Sequence, residues 1–177
     1  MARTIFITGG TRSGKSVFAE KVALEYGTPL GYLATAQPLD NEMDQRIHLH
    51  RQRRGNAWQT IEEPLLLEET LRRLDGRFNA ILVDCVTLWL TNMLLRHETM
   101  GQGIESRILN EVERLATALP TLATPLILVS NEVGMGIVPE HRLGRLFRDI
   151  AGQANQILAA TADEAWLVAS GIPLRLK

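Results

Sequence analysis

Several features are scarce in this 177-residue sequence, and each scarcity excludes a class of protein. Cys85 is the only cysteine, so no intramolecular disulfide can form. No apolar run approaches the roughly 20 residues that a membrane-spanning helix requires. Neither sign of charge dominates, because 19 Lys and Arg residues are set against 20 Asp and Glu, for a net charge of −1. A globally basic nucleic-acid-binding protein is therefore excluded, and any anion site must be local.

The rest of the composition is typical of one globular domain. Hydrophobic residues make up 45% of the chain, enough for a substantial core, and no low-complexity linker divides it. We therefore predict a single domain over residues 1–177. The N-terminus leads directly into a strand-like run without the profile of a signal peptide, so a cytoplasmic location is expected.

Strand-like and helix-like segments alternate along the chain. Short apolar, β-branched runs indicate parallel strands covered on both faces: TIFIT (4–8), GYLATA (31–36), NAILVDC (79–85), PLILVSN (125–131) and EAWLVAS (164–170). WQTIEE (58–63) and PLRLK (173–177) are further strand candidates. Helical patterns occupy residues 16–27, 41–54, 64–76, 86–97, 105–119 and 143–158, with Pro64 expected in the first turn of its helix. The alternation predicts an α/β fold with a mostly parallel sheet flanked by helices.

The most specific chemical signal is the stretch GGTRSGKS, which fits the phosphate-binding pattern G-x-x-x-x-G-K-[ST]. It stands between a predicted strand and a predicted helix, the context in which this pattern forms a P-loop. Backbone N–H groups of such a loop point at a phosphate, the lysine reaches the β- and γ-phosphates, and the final hydroxyl binds Mg²⁺. The alternative is a glycine-rich turn without ligand. The candidate phosphate-binding residues are Gly9, Gly10, Thr11, Arg12, Ser13, Gly14, Lys15 and Ser16.

Asp84 is the candidate for the second metal-binding group of a P-loop site. It ends the apolar strand AILVD, so it should emerge at the carboxyl edge of the sheet, where ligands bind in open α/β folds. Together with Ser16 it would hold Mg²⁺. The alternative is that Asp84 caps the following helix. Cys85 beside it is interpreted as a small core residue, because nothing nearby marks an activated nucleophile.

The stretch RIHLHRQRRG, residues 46–55, concentrates histidine and arginine in a chain of balanced charge. If residues 41–54 are helical, His48 and His50 point about 200° apart and cannot share a metal ion. On a strand they would share a face, and H-x-H would then be a candidate zinc pair. On the helix, His50 falls on one stripe with Met43, Ile47 and Arg54 and faces inward.

An inward histidine among arginines has the chemistry of a nucleophile beside a phosphate. The imidazole would attack phosphorus, and the guanidinium groups of Arg51, Arg53 and Arg54 would hold the anion. The alternative is a histidine at the buried edge of a basic, solvated helix end. The residues alone favour neither interpretation.

The end of the late strand, SNEVG, lacks the guanine-reading pattern N/T-K-x-D, which argues against a regulatory GTPase. Asn131 and Glu132 are candidate polar site residues at this strand end, and Gly134 and Gly136 suggest a mobile or close-approach loop. A structural turn is the alternative. The motifs leave three classes: a small-molecule kinase, a nucleotidyltransferase, and a nucleotide-dependent regulatory module.

The sequence resembles, almost from end to end, the bifunctional adenosylcobinamide kinase / adenosylcobinamide-phosphate guanylyltransferase family of cobalamin (vitamin B12) biosynthesis. The resemblance is carried by TGGTRSGKS, YLATAQPLDNEMDQRIHLHR with WQTIEEP, LVDCVTLWLTN and VSNEVGMGIVPEHRLGRLFRDIAGQANQ. The last segment is the most specific, because generic P-loop proteins have nothing like it. The family implies a P-loop NTPase-type fold, GTP and ATP as nucleotides, Mg²⁺, a corrinoid substrate and a homotrimer.

The resemblance also implies roles for individual residues. The family's guanylylated histidine lies in R-I-x-x-H with an arginine four residues later, which corresponds to His50 and Arg54. Glu62 is carried over by its place after WQT, with Glu63 as a competitor. The implied nucleotide contacts beyond the P-loop are Ala34, Thr35, Ala36, Arg51, Gln52, Arg53, Arg54, Glu62 and Asp84. Two alternatives remain: a kinase that stops at phosphorylation, and a non-catalytic regulatory module.

Overall fold

The computed structural model describes residues 2–36, 57–97 and 103–177. The strands are β1 (Thr4–Gly9), β2 (Leu30–Ala34), β3 (Trp58–Glu62), β4 (Ala80–Asp84), β5 (Leu126–Asn131), β6 (Glu164–Ala169) and β7 (Ile172–Arg175). The helices are α1 (Lys15–Leu24), α2 (Leu67–Leu74), α3 (Val86–Arg96), α4 (Ile104–Ala118) and α5 (Arg142–Thr161), and a 3₁₀ turn covers Leu119–Thr121.

The strands form one sheet in the order β3-β2-β4-β5-β1-β6-β7. Every neighbouring pair is parallel except β6 and β7, which form an antiparallel hairpin at one edge. Strand β5 therefore lies between β1, which leads into the P-loop, and β4, which ends at Asp84. The carboxyl ends of these three strands meet at one edge of the sheet, as the strand-helix alternation predicts.

Two buried clusters cover the two faces of the sheet because side chains alternate along each strand. On one face, Phe6 packs with apolar side chains of α2, α3, α4 and α5, including the fully buried Trp89. On the other face, Ile5 and Ile7 pack with Ala19 of α1. The central strands are buried on both sides, which explains their continuous apolar runs.

The predicted elements within the described ranges are confirmed, with end points that shift by a few residues. The exception is Pro64, which lies before α2 rather than in its first turn, so that prediction is wrong. The Glu63 carboxylate accepts hydrogen bonds from the N–H groups of Leu65 (3.0 Å) and Leu66 (2.8 Å), which holds this segment as a turn. The Pro64 carbonyl accepts a hydrogen bond from Asn92 Nδ2 at 3.1 Å. The predicted helix over residues 41–54 lies outside the described residues.

Among the helices of the described ranges, none is both long enough and apolar enough to cross a membrane.

Candidate active site

The P-loop joins β1 to α1 and curls back on itself. The N–H group of Ser13 donates to the Gly10 carbonyl at 3.2 Å, and Lys15 Nζ donates to the same carbonyl at 3.1 Å. Lys15 is buried, with 9% of its surface exposed, so its ammonium group spans the loop to which it belongs. Helix α1 begins here without a side-chain cap, which leaves its first N–H groups and its positive dipole end for an anion.

Gly9 is required by the close approach of strand β6. A Cβ at this position would clash with the Val168 carbonyl oxygen and lie 2.6 Å from Ser13 Oγ. The first residue of the loop is therefore pressed between the sheet and the loop's own far side. Ser13 Oγ is itself buried and has no hydrogen-bond partner among the described residues.

Asp84 lies at the carboxyl end of β4, half-buried, with its Oδ2 accepting a 2.7 Å hydrogen bond from the Tyr32 hydroxyl. The N-cap of α3 is Cys85, and no side chain caps this helix. The capping alternative for Asp84 is therefore wrong. Since only β5 separates β4 from β1, Asp84 and the P-loop strand are about 10 Å apart across the sheet. A hydrated metal ion and a phosphate chain fit a span of this size.

Thr35 fastens the turn after Asp84. Its hydroxyl donates to the Cys85 carbonyl at 2.7 Å and accepts from the Cys85 N–H at 2.9 Å, across a cis Asp84–Cys85 peptide bond. Its own N–H donates to the Asp84 carbonyl, and its carbonyl accepts from Asn92 Nδ2. The polar groups of Thr35 thus all have partners within the protein. Ala34 is the register partner of Asp84, which places Ala34, Thr35 and Ala36 directly beside it.

Cys85 is a core residue, as its neighbours in the sequence indicate. It is 5% exposed, and desolvation, followed by the adjacent Asp84 charge, raises the pKa of its thiol to about 12. A thiol of that pKa is protonated at neutral pH and is not a nucleophile.

Two neighbouring glutamates have different surroundings. Both oxygens of Glu63 are engaged at the start of α2, Oε1 by two backbone N–H groups and Oε2 by the Thr70 hydroxyl at 3.3 Å. Glu62 ends β3 with an exposed side chain and is the register partner of Ala34. Glu62, Ala34 and Asp84 therefore form one row across three strands at the carboxyl edge.

A buried polar network fixes the carboxyl end of β5. Ser130 Oγ donates to Asn155 Oδ1 at 2.7 Å, and Asn155 Nδ2 donates to the Asn131 carbonyl at 3.1 Å. The Asn131 N–H donates to Thr87 Oγ1 at 2.6 Å. Helices α3 and α5 are thereby tied to the strand that lies between the P-loop and Asp84.

Glu132 connects this strand end to the P-loop. Its N–H donates to the Gly9 carbonyl at 3.0 Å, and its carboxylate accepts from the Gly134 N–H at 2.7 Å. The loop that follows exposes Met135 and Ile137. This loop therefore begins in contact with the phosphate-binding segment.

The structure thus brings together the P-loop residues, Ala34–Ala36, Glu62 and Asp84 along one edge of the sheet. The remaining predicted residues, and with them the zinc-pair alternative, lie outside the described residues: His48, His50, Arg51, Gln52, Arg53 and Arg54. Sequence reasoning missed Tyr32, Thr87 and Asn155, which orient the site from the interior of a strand and two helices. Their type and position in the sequence carry no signal, because their partners are distant along the chain.

A family model described as cobinamide kinase / cobinamide phosphate guanyltransferase matches residues 5–176. The chain belongs to this family. The bifunctional adenosylcobalamin biosynthesis protein CobU of Escherichia coli (strain K12) is 44% identical over 180 residues, covering 98% of this chain and 99% of that protein. The corresponding protein CobP of Pseudomonas aeruginosa is 44% identical over 171 residues (97% and 95%). CobU of Salmonella typhimurium is 43% identical over 180 residues (98% and 99%). Membership in the family thus extends over nearly the whole chain, including the segments outside the described residues.

Two solved structures are similar in fold. The RadB recombinase superposes with a TM-score of 0.53 at 15% identity, covering 93% of this chain and 73% of that one. The ATPase domain of another protein superposes with a TM-score of 0.52 at 11% identity, covering 93% of this chain and 68% of that one. At these identities the likeness concerns the fold alone. It agrees with the P-loop NTPase-type fold that the sequence predicts.

Proposed function

We propose that this protein phosphorylates adenosylcobinamide and then transfers GMP from GTP to adenosylcobinamide phosphate, giving adenosylcobinamide-GDP. The observation that carries the proposal is the family match over residues 5–176 in a chain whose P-loop and Asp84 share one sheet edge. The names of the relatives, which describe bifunctional proteins of adenosylcobalamin biosynthesis, support it. The product belongs to cobalamin biosynthesis.

In the first reaction, the aminopropanol hydroxyl of adenosylcobinamide attacks the γ-phosphorus of ATP or GTP. The hydroxyl oxygen forms the new bond, a nucleoside diphosphate leaves, and the hydroxyl proton is released. Catalysis in such transfers is mainly positioning and charge neutralisation. The loop N–H groups and the buried Lys15 ammonium supply both for the phosphate chain.

Mg²⁺ fits the residues that would hold it. The Ser16 hydroxyl and the Asp84 carboxylate are oxygen donors, the kind that Mg²⁺ prefers, and Tyr32 orients the carboxylate. The ion supplies charge neutralisation at the phosphates. Tyr32 leaves Asp84 Oδ1 as the oxygen without the tyrosine contact.

In the second reaction we propose His50 as the nucleophile. An imidazole nitrogen attacks the α-phosphorus of GTP, and pyrophosphate leaves. A phosphate oxygen of adenosylcobinamide phosphate then attacks the same phosphorus and releases the histidine. Covalent catalysis divides one displacement between large substrates into two smaller steps. Arg51, Arg53 and Arg54 stabilise the anionic groups, with Gln52 among the nucleotide contacts.

Glu62, rather than Glu63, is the proposed nucleotide contact. The Glu63 carboxylate is engaged by the start of α2, whereas Glu62 lies in the row with Ala34 and Asp84. For assembly and location we propose a cytoplasmic homotrimer, with the site close to a subunit boundary.

Intact-protein mass spectrometry tests the covalent step. Wild-type protein incubated with GTP and Mg²⁺ should gain the mass of one guanylyl group, bound through a phosphorus–nitrogen bond that acid breaks and alkali spares. His50→Asn should not gain this mass but should still phosphorylate adenosylcobinamide. His48→Asn is the matched control and should behave as the wild type.

Three outcomes contradict parts of the proposal. Label that persists in His50→Asn and is lost from His48→Asn would move the nucleophile to His48. Phosphorylation without any guanylylated product would indicate a kinase that stops at the first reaction. Nucleotide binding with neither reaction would indicate a regulatory module.

A further inference from the structure

The β6–β7 hairpin at the edge of the sheet closes through a tight turn. Ala169 and Ile172 are register partners, so Ser170 and Gly171 form a two-residue connection. Both connecting residues have positive φ, 52° at Ser170 and 81° at Gly171. Positive φ at both central positions is the geometry of a type I′ hairpin turn, and glycine is strongly preferred at its second position.

The tip of this turn contacts the P-loop. The Gly171 N–H donates a 2.8 Å hydrogen bond to the Ser13 carbonyl, although the two residues are far apart in the sequence. A Cβ on Gly14 would lie 3.1 Å from the Gly171 Cα, so the two backbones are in close contact. Val168, on the strand that leads into the hairpin, presses its carbonyl against Gly9 at the other end of the loop.

The contact with Ser13 has a consequence for the next residue of the loop. The Ser13 carbonyl and the Gly14 N–H belong to one planar trans peptide and point in opposite directions. Holding the Ser13 oxygen toward the hairpin therefore directs the Gly14 N–H away from it. A P-loop binds phosphate through N–H groups of this kind, and their value depends on their being oriented before the ligand arrives.

We propose that Gly171 is a positioning residue, which holds the Ser13–Gly14 peptide in the orientation that binds the phosphate chain of a nucleoside di- or triphosphate. The hairpin thus acts as a brace for the P-loop. This inference rests on the proposed function in that the loop binds nucleotide. Gly171 itself contacts no substrate in this proposal and acts through Ser13.

Gly76 provides a matched control. Its φ is 74°, a Cβ on it would meet nothing within 4 Å, and its N–H donates to Thr124 Oγ1 at 2.7 Å. A Cβ on Gly171 likewise meets nothing within 4 Å. Gly76 lies between α2 and β4, at the opposite end of the sheet from the P-loop. Valine at either position imposes similar backbone strain, but only at position 171 does it displace a P-loop contact.

The experiment is titration calorimetry of GDP with Mg²⁺ on the wild type, Gly171→Val, Gly171→Asn and Gly76→Val. Loss of one oriented hydrogen bond predicts that Gly171→Val raises the Kd by about tenfold relative to Gly76→Val. Asparagine tolerates positive φ, so Gly171→Asn should restore most of the affinity. Melting temperatures without nucleotide should fall similarly for both valine variants, while nucleotide should stabilise Gly76→Val more.

Hydrogen exchange on the wild type provides a measurement that needs no variant. The Gly171 amide should be protected without ligand, and further protected with GDP. Exchange of this amide at the rate of an exposed turn in both states would overturn the proposal. Equal Kd values for Gly171→Val and Gly76→Val would overturn it too, while leaving the proposed function intact. Failure of the wild type to bind GDP or GTP would overturn both.

Discussion

The two ends of the parallel sheet use polar side chains differently. At the amino ends of the strands, carboxylates close structural loops: Asp75 accepts hydrogen bonds from the N–H groups of Ala123 (2.9 Å) and Thr124 (2.8 Å), and Asp163 accepts one from Thr4 (2.7 Å). At the carboxyl ends, Asp84 is held by the Tyr32 side chain and not by backbone N–H groups of a loop.

The comparison teaches that residue type alone does not identify a site. An aspartate whose oxygens accept from backbone N–H groups stabilises the fold and has little capacity for a ligand. An aspartate that one hydroxyl orients from behind can present its other oxygen to a metal ion. The expected effects of substitution therefore separate: loss of activity at the carboxyl end, and loss of stability at the amino end.

The largest effect is expected for Lys15→Ala. It should lower the rates of both proposed reactions by about a hundredfold or more, because both place a triphosphate against the same buried charge. Steady-state assays of phosphorylation and guanylyl transfer measure this. Lys21→Ala, an exposed lysine on the same helix, is the control and should retain both rates. Either reaction surviving Lys15→Ala within a few-fold would show that it does not use this loop.

Asp84→Asn should lower Mg²⁺-dependent turnover by at least about tenfold, since the amide keeps the shape but removes the charge that attracts the ion. The free energy of unfolding should hardly change. Rates measured across a series of Mg²⁺ concentrations, with thermal melts in parallel, test both statements. Normal Mg²⁺ dependence combined with a large loss of stability would make Asp84 resemble the amino-end carboxylates, and the contrast would fail.

Asp75→Ala should have the opposite profile, with the free energy of unfolding reduced by about 2 kcal/mol and both reaction rates retained below the melting temperature. Desolvation raises the pKa of Asp75, but hydrogen bonds from the N–H groups of Ala123 and Thr124 outweigh it and hold the pKa below its usual value. Asp75 therefore stabilises the fold fully above its unfolded pKa of about 3.9, and this contribution is lost as the pH falls through the lower folded value.

Denaturant unfolding of the wild type and Asp75→Ala between neutral pH and about pH 2 measures that contribution. The difference in unfolding free energy between the two proteins should shrink as the pH falls below about 4. A difference that stays constant over this range would show that the Asp75 charge contributes nothing.

Tyr32→Phe sharpens the comparison with a smaller effect. Removing the hydroxyl that orients Asp84 should weaken the apparent Mg²⁺ affinity by roughly fivefold, the equivalent of one hydrogen bond. Saturating Mg²⁺ should restore most of the rate, which distinguishes this variant from Asp84→Asn. A rate that no Mg²⁺ concentration restores would mean that Tyr32 acts on something other than the metal site.

The smallest effect is expected at Cys85. Because burial raises the pKa of its thiol to about 12, iodoacetamide at about pH 8 should leave the folded protein unlabelled and fully active. Labelling should proceed once the chain is unfolded in urea. Rapid alkylation of the folded protein with loss of activity would show that the turn after Asp84 opens readily.

Much of the fold can be predicted from the sequence because its signals are local. The P-loop motif spans eight residues, Gly9–Ser16, and its glycines, lysine and serine have their roles by spacing alone. The apolar runs of β1, β4 and β5 identify buried parallel strands, and each is close to the observed strand. Pro64 shows the limit, since the side chain of Glu63 decided where α2 begins.

The sequence by itself determined the strand-helix alternation, the P-loop and the family, because each depends on residues that are neighbours in the chain. Only the tertiary structure decided which carboxylates are available. Glu63 and Asp75 are engaged by backbone N–H groups, whereas Tyr32 orients Asp84 from a neighbouring strand. The contact between Gly171 and Ser13 is of the same kind. A hydrogen bond between distant residues follows from how the strands are ordered in the sheet, and no local pattern of residue types encodes that order.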